Sequence, residues 1–165
     1  MLEAPLLIEN LFPIPPEQVG LAVLGSPIKH SISPQLHKSA LSELASRDPS
    51  FSNWVYHKVE VDPKNLAYAL DRLRECGYRG LNLTIPHKVD VFSLLDTINV
   101  EARNIGAVNT LMYNDSEWQG FNSDGYGLEH ALAGKLDVSL KSAHLLILGA
   151  GGAARAAAAQ ALSRG

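Results

Sequence analysis

Residues 20–41, GLAVLGSPIKHSISPQLHKSAL, combine a predicted strand, a loop and the start of a helix. The short apolar run 20–25 ends at Gly, Ser and Pro and predicts a buried strand. A polar loop follows, and Ser33 with Pro34 indicates a helix start, with serine as the N-cap and proline in the first turn. The apolar residues that then recur at helical spacing are Leu36, Ala40, Leu41 and Leu44.

The same strand-loop-helix unit recurs along the chain. Further strands are predicted at 54–61, 79–85, 106–113, 117–121 and 143–148. Helices are predicted over 63–76, after Pro86, over 123–134 and over 152–164. This alternation favours an α/β fold with a three-layer domain and a mainly parallel sheet, which the hairpin at 106–121 makes mixed. The predicted parts are an N-terminal extension (1–19), a first domain (20–140) and the start of a second (141–165).

Composition excludes several classes of protein. The 165 residues carry 14 basic and 17 acidic side chains, a net charge of −3, and lack the basic run that binding to nucleic acid needs. No apolar run approaches the roughly 20 residues of a membrane span. Cys76 is the one cysteine, so an intrachain disulfide and a cysteine-based zinc site are excluded, and the six histidines lack metal-ligand spacing. A cytoplasmic protein without a metal is expected.

A glycine-rich segment at 149–154, GAGGAA, fits the dinucleotide fingerprint G-x-G-x-x-A. It follows a predicted apolar strand and begins a helix, whose first amides can bind a pyrophosphate. A glycine-rich turn in any other α/β protein remains the alternative. A complete fingerprint also needs a second strand and a charged residue about 20 positions further on, beyond Gly165.

Five polar residues at the ends of predicted elements are candidates for a site. Ser31 and Ser33, with the helix amides beside them, can hold a carboxylate or phosphate, although a cap and a loop residue would look the same. Lys88 lies in the first turn of a helix, where the helix dipole disfavours a cation; a solvated lysine is the alternative. Asn109 lies in an apolar stretch and needs a partner. Asp124 precedes a helix and is either functional or a cap.

Taken together and in this order, five stretches resemble the shikimate dehydrogenase family. They are GSPIKHSISP (25–34), NLTIPHK (82–88), IGAVNT (105–110), GFNSDGYG (120–127) and GAGGAAR (149–155). The resemblance implies a substrate domain followed by a Rossmann domain that binds NADP, with the active site between them. It implies reversible reduction of 3-dehydroshikimate to shikimate by NADPH in aromatic amino-acid biosynthesis, by a monomer or homodimer.

The resemblance also implies roles for individual residues. Lys88 is the catalytic base and is paired with Asp124, while Asn82 supports the loop. The residues implied to bind substrate are Ser31, Ser33, Thr84, Lys88, Asn109 and Asp124; the serines take its carboxylate, and Thr84, Asn109 and Asp124 its ring hydroxyls. The residues implied to bind the cofactor are Gly149, Ala150, Gly151, Gly152 and Ala153.

Two alternatives remain beside this interpretation: a relative that also accepts quinate, and a stand-alone module that binds a hydroxylated carboxylate without redox chemistry. The family's remaining nicotinamide-domain elements lie outside this chain, as do a Gln and a Tyr that complete the substrate pocket. The choice of NADP over NAD is therefore taken from the family. We expect the chain by itself to be inactive as a dehydrogenase, and the segment after about residue 142 to be mobile or packed in a non-native or intermolecular way.

Overall fold

Strands and helices alternate along residues 4–165, the part of the chain that the computed structural model describes. The strands are β1 (Leu6–Leu7), β2 (Val19–Gly25), β3 (Trp54–Glu60), β4 (Tyr78–Leu83), β5 (Thr97–Ile98), β6 (Thr110–Asn114) and β7 (Glu117–Phe121). The helices are α1 (Ser33–Arg47), α2 (Leu66–Glu75), α3 (His87–Asp90), α4 (Val100–Ile105), α5 (Asp124–Leu136) and α6 (Gly152–Arg164). Short 3-10 turns occupy Ile8–Asn10, Pro49–Phe51, Pro63–Asn65 and Val91–Leu94.

The strands of residues 4–165 form one mixed sheet in the order β1-β3-β2-β4-β6-β7-β5. Neighbours pair in parallel on the β1 to β4 side, and the β6–β7 hairpin joins antiparallel to β4. β5 closes the far edge in parallel with β7. The predicted α/β class with a mainly parallel, mixed sheet is confirmed.

The first two long helices cover opposite faces of the sheet. Residues of β2 alternate between the two apolar clusters: Val23 packs with Leu41 of α1, whereas Ala22 and Leu24 pack with the α2 side. The predicted α2 stripe is buried as expected, at Leu66, Ala69, Leu70 and Leu73. The chain turns from β2 to one side of the sheet and from β3 back across to β4, and right-handed crossovers in opposite directions place their helices on opposite faces.

The start and the apolar stripe of α1 differ from the prediction. Ile32, not Ser33, occupies the N-cap position, and Ser33 is the first residue of the helix. The Ser31 hydroxyl accepts a hydrogen bond from the Ser33 N–H at 3.3 Å. The side chain that caps the start of the helix therefore belongs to the residue before the N-cap position. Leu41 is buried, but Leu36 is 62% and Leu44 43% exposed, and Ala40 is exposed too. The helix packs on the sheet along a narrower line than the spacing predicts.

The described part of segment 1–19, which the sequence predicts as an N-terminal extension, pairs and packs with the residues that follow it. β1 pairs in parallel with β3 through Leu6 and Leu7. Ile8, Leu11 and Ile14 are buried in the α2-side cluster. Residues 1–3 of the predicted extension lie outside the described part of the chain. Pro13, Pro15 and Pro16 lie in a stretch without helix or strand, within which Leu11 and Ile14 still pack into the core.

The predicted strand at 143–148 is wrong. Within the described residues this segment pairs with no strand, and Leu146 and Leu148 are 86% and 90% exposed. A strand needs a hydrogen-bonded neighbour, which an apolar run alone cannot provide.

The helix that follows is formed as predicted, and α6, with its buried Ala156, packs against α5 and α4. Among residues 4–165, no helix is long and apolar enough to cross a bilayer.

Candidate functional site

The candidate site lies at the carboxyl ends of β2 and β4. These strands are adjacent and parallel. The chain leaves β2 towards β3 and leaves β4 towards β6, in opposite directions along the sheet. Such a switch in direction opens a crevice at the strand ends, which is where α/β sheets bind ligands. The loops that border it contain the serines and the lysine predicted from the sequence.

Ser31 and Ser33 form one half-buried pair in the loop after β2. The Ser31 hydroxyl donates to Ser33 Oγ at 3.2 Å. The same loop is tied to β3 by Lys58, whose Nζ donates to the Lys29 carbonyl at 2.9 Å and which is only 4% exposed. Two hydroxyls at the N-terminus of α1 can donate to an anionic group together with the first helix amides. The arrangement suits a carboxylate.

Thr84 lies against the beginning of the serine loop. Its N–H donates to the carbonyl of Leu24 at 2.9 Å and thereby extends the β2–β4 pairing past the end of the strand. A Cβ on Gly25 would lie 2.5 Å from Thr84 Cγ2, so glycine is needed for this approach. The two loops are therefore held side by side at the crevice.

Lys88 and Asp124 form a partly buried ion pair. Lys88 Nζ donates to Asp124 Oδ2 at 2.6 Å, and the two side chains are 17% and 26% exposed. The backbone on each side is also fixed. The Val108 N–H donates to the Lys88 carbonyl at 2.7 Å, and the Asp124 N–H donates to Asn122 Oδ1 at 2.9 Å. An ammonium and a carboxylate held this way can exchange a proton with a hydroxyl placed beside them.

Asn109 holds the carboxylate of that pair from the other side. Its Nδ2 donates to Asp124 Oδ1 at 2.8 Å, while its Oδ1 accepts from the Ser123 N–H at 3.0 Å. Its backbone continues the sheet, because the Leu83 N–H donates to the Asn109 carbonyl at 2.8 Å. The partner that a polar residue in an apolar stretch requires is therefore Asp124, and both carboxylate oxygens receive a donor.

His87, next to the lysine, is fully buried. Burial lowers the pKa of its imidazole, and the Val61 carbonyl and the carboxylates of Asp90 and Asp62 oppose the shift. Neither ring nitrogen has a partner in hydrogen-bond geometry among the described residues. A neutral ring is the form that this environment favours. The residue adjacent to the ion pair therefore adds no positive charge to it at neutral pH.

The glycine turn adjoins the ion pair. α6 begins at Gly152, and its first helical bond runs from the Arg155 N–H to the Gly151 carbonyl, so the earlier amides remain available to a ligand. A Cβ on Gly152 would lie 2.9 Å from Lys88 Cβ, and Gly149 has a φ of +127°. Amides at a helix N-terminus can bind a phosphate group. The strand that normally supports such a turn is not formed here.

The structure groups the predicted residues into three clusters. Lys88, Asn109 and Asp124 form one hydrogen-bonded cluster; Ser31 and Ser33 form a second, with Thr84 beside their loop; the glycine turn is the third. Sequence reasoning missed four polar residues that contact these groups or support them: Lys58, Thr110, Asn122 and Ser123. Asn122 and Ser123 stand inside the quoted stretch 120–127, so their spacing before Asp124 was the available signal.

Fold and site together define an α/β domain with a cluster of polar side chains at the strand ends, followed by a glycine-rich turn that matches the dinucleotide-binding motif. The family model of the shikimate dehydrogenase substrate binding domain matches residues 23–111, more than half of the chain. The chain belongs to the shikimate dehydrogenase family.

Known proteins of this family are similar in sequence. The chain is 42% identical over 145 residues to the shikimate dehydrogenase (NADP(+)) of Geobacter metallireducens, covering 88% of this chain and 48% of the relative. It is 38% identical over 134 residues to the enzyme of the same name from Bacillus subtilis, covering 81% and 46%. The chain thus spans about half the length of the curated relatives it matches.

Solved structures of shikimate dehydrogenases have a similar fold over most of this chain. The shikimate dehydrogenase of Aquifex aeolicus superposes with a TM-score of 0.82 at 31% identity, covering 92% of this chain and 55% of that one. Shikimate 5-dehydrogenase of Thermus thermophilus, solved in complex with NADP(H) and shikimate, superposes with a TM-score of 0.79 at 36% identity and covers 90% and 53%. The predicted family is confirmed.

Proposed function

We propose that this chain is the substrate-binding part of a shikimate dehydrogenase, which reversibly reduces 3-dehydroshikimate to shikimate with NADPH. The observation that carries the proposal is the Lys88–Asp124 pair, held by Asn109 in the crevice at the ends of β2 and β4. The names of the relatives and the Thermus thermophilus complex support both the substrate and the cofactor.

The chemistry requires a proton and a hydride to leave the same alcohol. In the direction of oxidation, the hydroxyl proton of shikimate passes to Lys88 Nζ as the carbonyl forms; in reduction, the ammonium returns it to the carbonyl oxygen. Asp124 accepts from Lys88 and holds its Nζ towards the hydroxyl. A nicotinamide bound beyond the glycine turn at 149–153 supplies or accepts the hydride.

The remaining site residues bind and orient the ring. Ser31 and Ser33 hold the substrate carboxylate, and Thr84 and Asn109 donate to ring hydroxyls beside the ion pair. The carboxylate and the reacting hydroxyl are then fixed at two separate points, which restricts the ring to one orientation.

The function is tested in the protein extended to the length of its relatives, by following NADPH oxidation with 3-dehydroshikimate. We expect turnover. Lys88→Ala should lower kcat by far more than it raises KM, because the proton transfer is needed mainly in the transition state. Asp124→Asn should affect both constants, since the carboxylate contacts lysine and substrate. An effect of Lys88→Ala confined to KM would make the lysine a binding residue, and absent turnover by the unsubstituted protein would refute the function.

The serine pair is tested separately by binding to the 165-residue chain. Ser31→Ala combined with Ser33→Ala should weaken shikimate binding, since a hydrogen bond to a charged group is worth about 1.5–3 kcal/mol. An analogue that lacks the carboxylate should lose little. Calorimetric titration of both ligands into both proteins measures the difference. Equal weakening of the two ligands would contradict a carboxylate site at these serines.

The chain by itself should bind shikimate weakly and NADPH not at all, because the proposed substrate residues precede residue 125 whereas 143–148 lack a sheet to support the glycine turn. Tight NADPH binding by the 165-residue chain would refute this prediction.

Quinate, assayed beside shikimate in the extended protein, tests the broader-specificity alternative. A cytoplasmic location is part of the proposal, and the buried free thiol of Cys76 fits a reducing compartment. Cell fractionation tests it.

A further inference from the structure

A chain of hydrogen bonds connects the catalytic cluster to a tyrosine inside the domain. The Tyr56 hydroxyl donates to Asn82 Oδ1 at 2.7 Å. Asn82 Nδ2 lies 3.4 Å from Thr110 Oγ1, to which it donates. Thr110 Oγ1 in turn donates to Asn109 Oδ1 at 2.9 Å, and Asn109 donates to Asp124. Four polar side chains from three strands and a loop thus lead from the buried face of β3 to the ion pair.

The direction of every bond in this chain is determined from one end. The Ser123 backbone N–H can only donate, so the atom of Asn109 that faces it must be the oxygen. The Thr110 hydroxyl faces the same oxygen and must donate to it, which leaves its lone pairs for the Asn82 amide. Asn82 then presents its own oxygen to the tyrosine. Tyr56 is the last donor in this series, and its removal takes away the hydrogen bond to Asn82 Oδ1.

Tyr56 is itself held by α1, the helix that begins at Ser33. Its side chain is 1% exposed, and the His37 ring stacks on it at 4.0 Å between centroids with an interplanar angle of 9°. His37 lies one helical turn after Ser33 in α1. Burial raises the pKa of the Tyr56 phenol, so its hydroxyl keeps its proton and remains a donor at physiological pH. Tyr56 therefore contacts both α1, through His37, and the series of hydrogen bonds that leads to the Lys88–Asp124 pair, through Asn82.

The geometry points to Tyr56 as a positioning residue of the proposed reaction: its hydroxyl fixes Asn82 and, through Thr110, holds Asn109 and the Asp124 carboxylate in place for Lys88. This inference rests on the proposed function for its catalytic consequence. Without the phenolic donor, the Asn82 amide loses the hydrogen bond that fixes its orientation. Thr110 then loses a fixed donor to its own oxygen, and its hydrogen bond to Asn109 Oδ1 becomes less firmly oriented.

Tyr78 offers a matched control. It is fully buried like Tyr56, and its hydroxyl lies at the same distance, 2.7 Å, from one side-chain partner, His57 Nδ1. Its ring packs in the α2-side cluster, on the other face of the sheet. Tyr56→Phe and Tyr78→Phe each remove one buried hydroxyl and should cost similar stability in urea unfolding. Only the first removes a donor from the network.

The first measurement uses NMR on the 165-residue chain and is independent of activity. Tyr56→Phe should shift the side-chain amide resonances of Asn109 and Asn82, while Tyr78→Phe should leave those of Asn109 in place. Unchanged Asn109 resonances in Tyr56→Phe would overturn the inference, whatever the enzyme does.

The second measurement uses steady-state kinetics on the extended protein. Tyr56→Phe should lower kcat by roughly three- to tenfold, the equivalent of one neutral hydrogen bond, with the KM for NADPH unchanged. Tyr78→Phe should keep kcat within about twofold of the unsubstituted protein. Thr110→Val interrupts the same chain, so adding Tyr56→Phe to it should cost little more. Additive losses, or equal kcat values for the two tyrosine variants, would overturn the inference; a lack of turnover in the unsubstituted protein would instead refute the proposed function, and the NMR result would stand by itself.

Discussion

The energetic coupling between Lys88 and Asp124 can be measured with a double-mutant cycle and a built-in control. Lys88→Met keeps the length of the side chain that packs on Gly152 but removes the charge. Asp124→Asn keeps the shape, and the new amide oxygen can still accept from Asn109. Urea unfolding of the 165-residue chain, the two single variants and the double variant then gives the coupling free energy of the pair.

The magnitude follows from burial. A charge-assisted hydrogen bond contributes about 1.5–3 kcal/mol when it is protected from water. With side chains 17% and 26% exposed, the Lys88–Asp124 pair retains some solvent, and we expect a coupling of about 1–2 kcal/mol. The pair Arg47–Glu43 has the same N–O distance of 2.6 Å but exposures of 75% and 64%. A cycle through Arg47→Met and Glu43→Gln should give at most about 0.5 kcal/mol, because solvent screens an exposed pair.

The comparison isolates burial, since distance and charge are matched between the two pairs. A coupling at the site no larger than that of the surface pair would refute the reasoning, because it would mean that the carboxylate and the ammonium are not held together in solution. The individual variants alone would not show this, as each also changes solvation. Repeating both cycles in higher salt should reduce the surface coupling more than the coupling at the site.

Two further results are expected. Gly152→Ala should destabilise the docking of α6, because the added Cβ would lie 2.9 Å from Lys88 Cβ. Gly134→Ala in α5 adds a Cβ with nothing within 4 Å and should stabilise the protein by up to about 1 kcal/mol through helix propensity. Hydrogen exchange and urea unfolding measure both effects, and equal effects of the two variants would contradict the packing. Burial lowers the pKa of His87 below its ordinary 6.5, so the unfolded state binds the proton more tightly, and the stability that the neutral ring contributes is present above about pH 6.5 and lost as the pH falls towards the folded-state pKa. His87→Leu should flatten that part of the profile of unfolding free energy against pH; a slope that survives His87→Leu would assign the titration elsewhere.

Local patterns in the sequence predicted the elements that local physics determines. The α2 stripe is buried because four apolar residues at helical spacing leave the helix one face to bury. The hairpin forms across Asp115 and Ser116, whose positive φ values of 50° and 69° match a tight turn between antiparallel strands. In both cases the residues that decide the structure are neighbours in the sequence.

The errors lie where distant partners decide. Residues 143–148 have the composition of a buried strand but lack an adjacent strand in the described residues, so they do not form one. Conversely, Leu6 and Leu7 form too short a run to predict a strand, yet β3 offers them a free edge and they pair with it. β5 was missed for the same reason, since Thr97–Ile98 is a strand only because β7 lies beside it. α4 was missed although its signals are local: the Asn99 side chain accepts from the Ala102 N–H, and Gly106 ends the helix with a φ of 68°.

The site shows how far a motif can predict geometry. Lys88 and Asp124 are 36 positions apart, and their pairing was expected from a family resemblance, not from spacing. Tyr56 lies in the strand that the sequence predicts at 54–61, and it is a buried residue of β3. Its second role depends on Asn82, which is 26 positions away but on the same face of the sheet, because Tyr56 pairs with Leu21 of β2 and Asn82 with Val23. A buried tyrosine needs a partner for its hydroxyl, and here the sheet provides one that belongs to the site, so the same packing that stabilises the core also orients the residues around the ion pair.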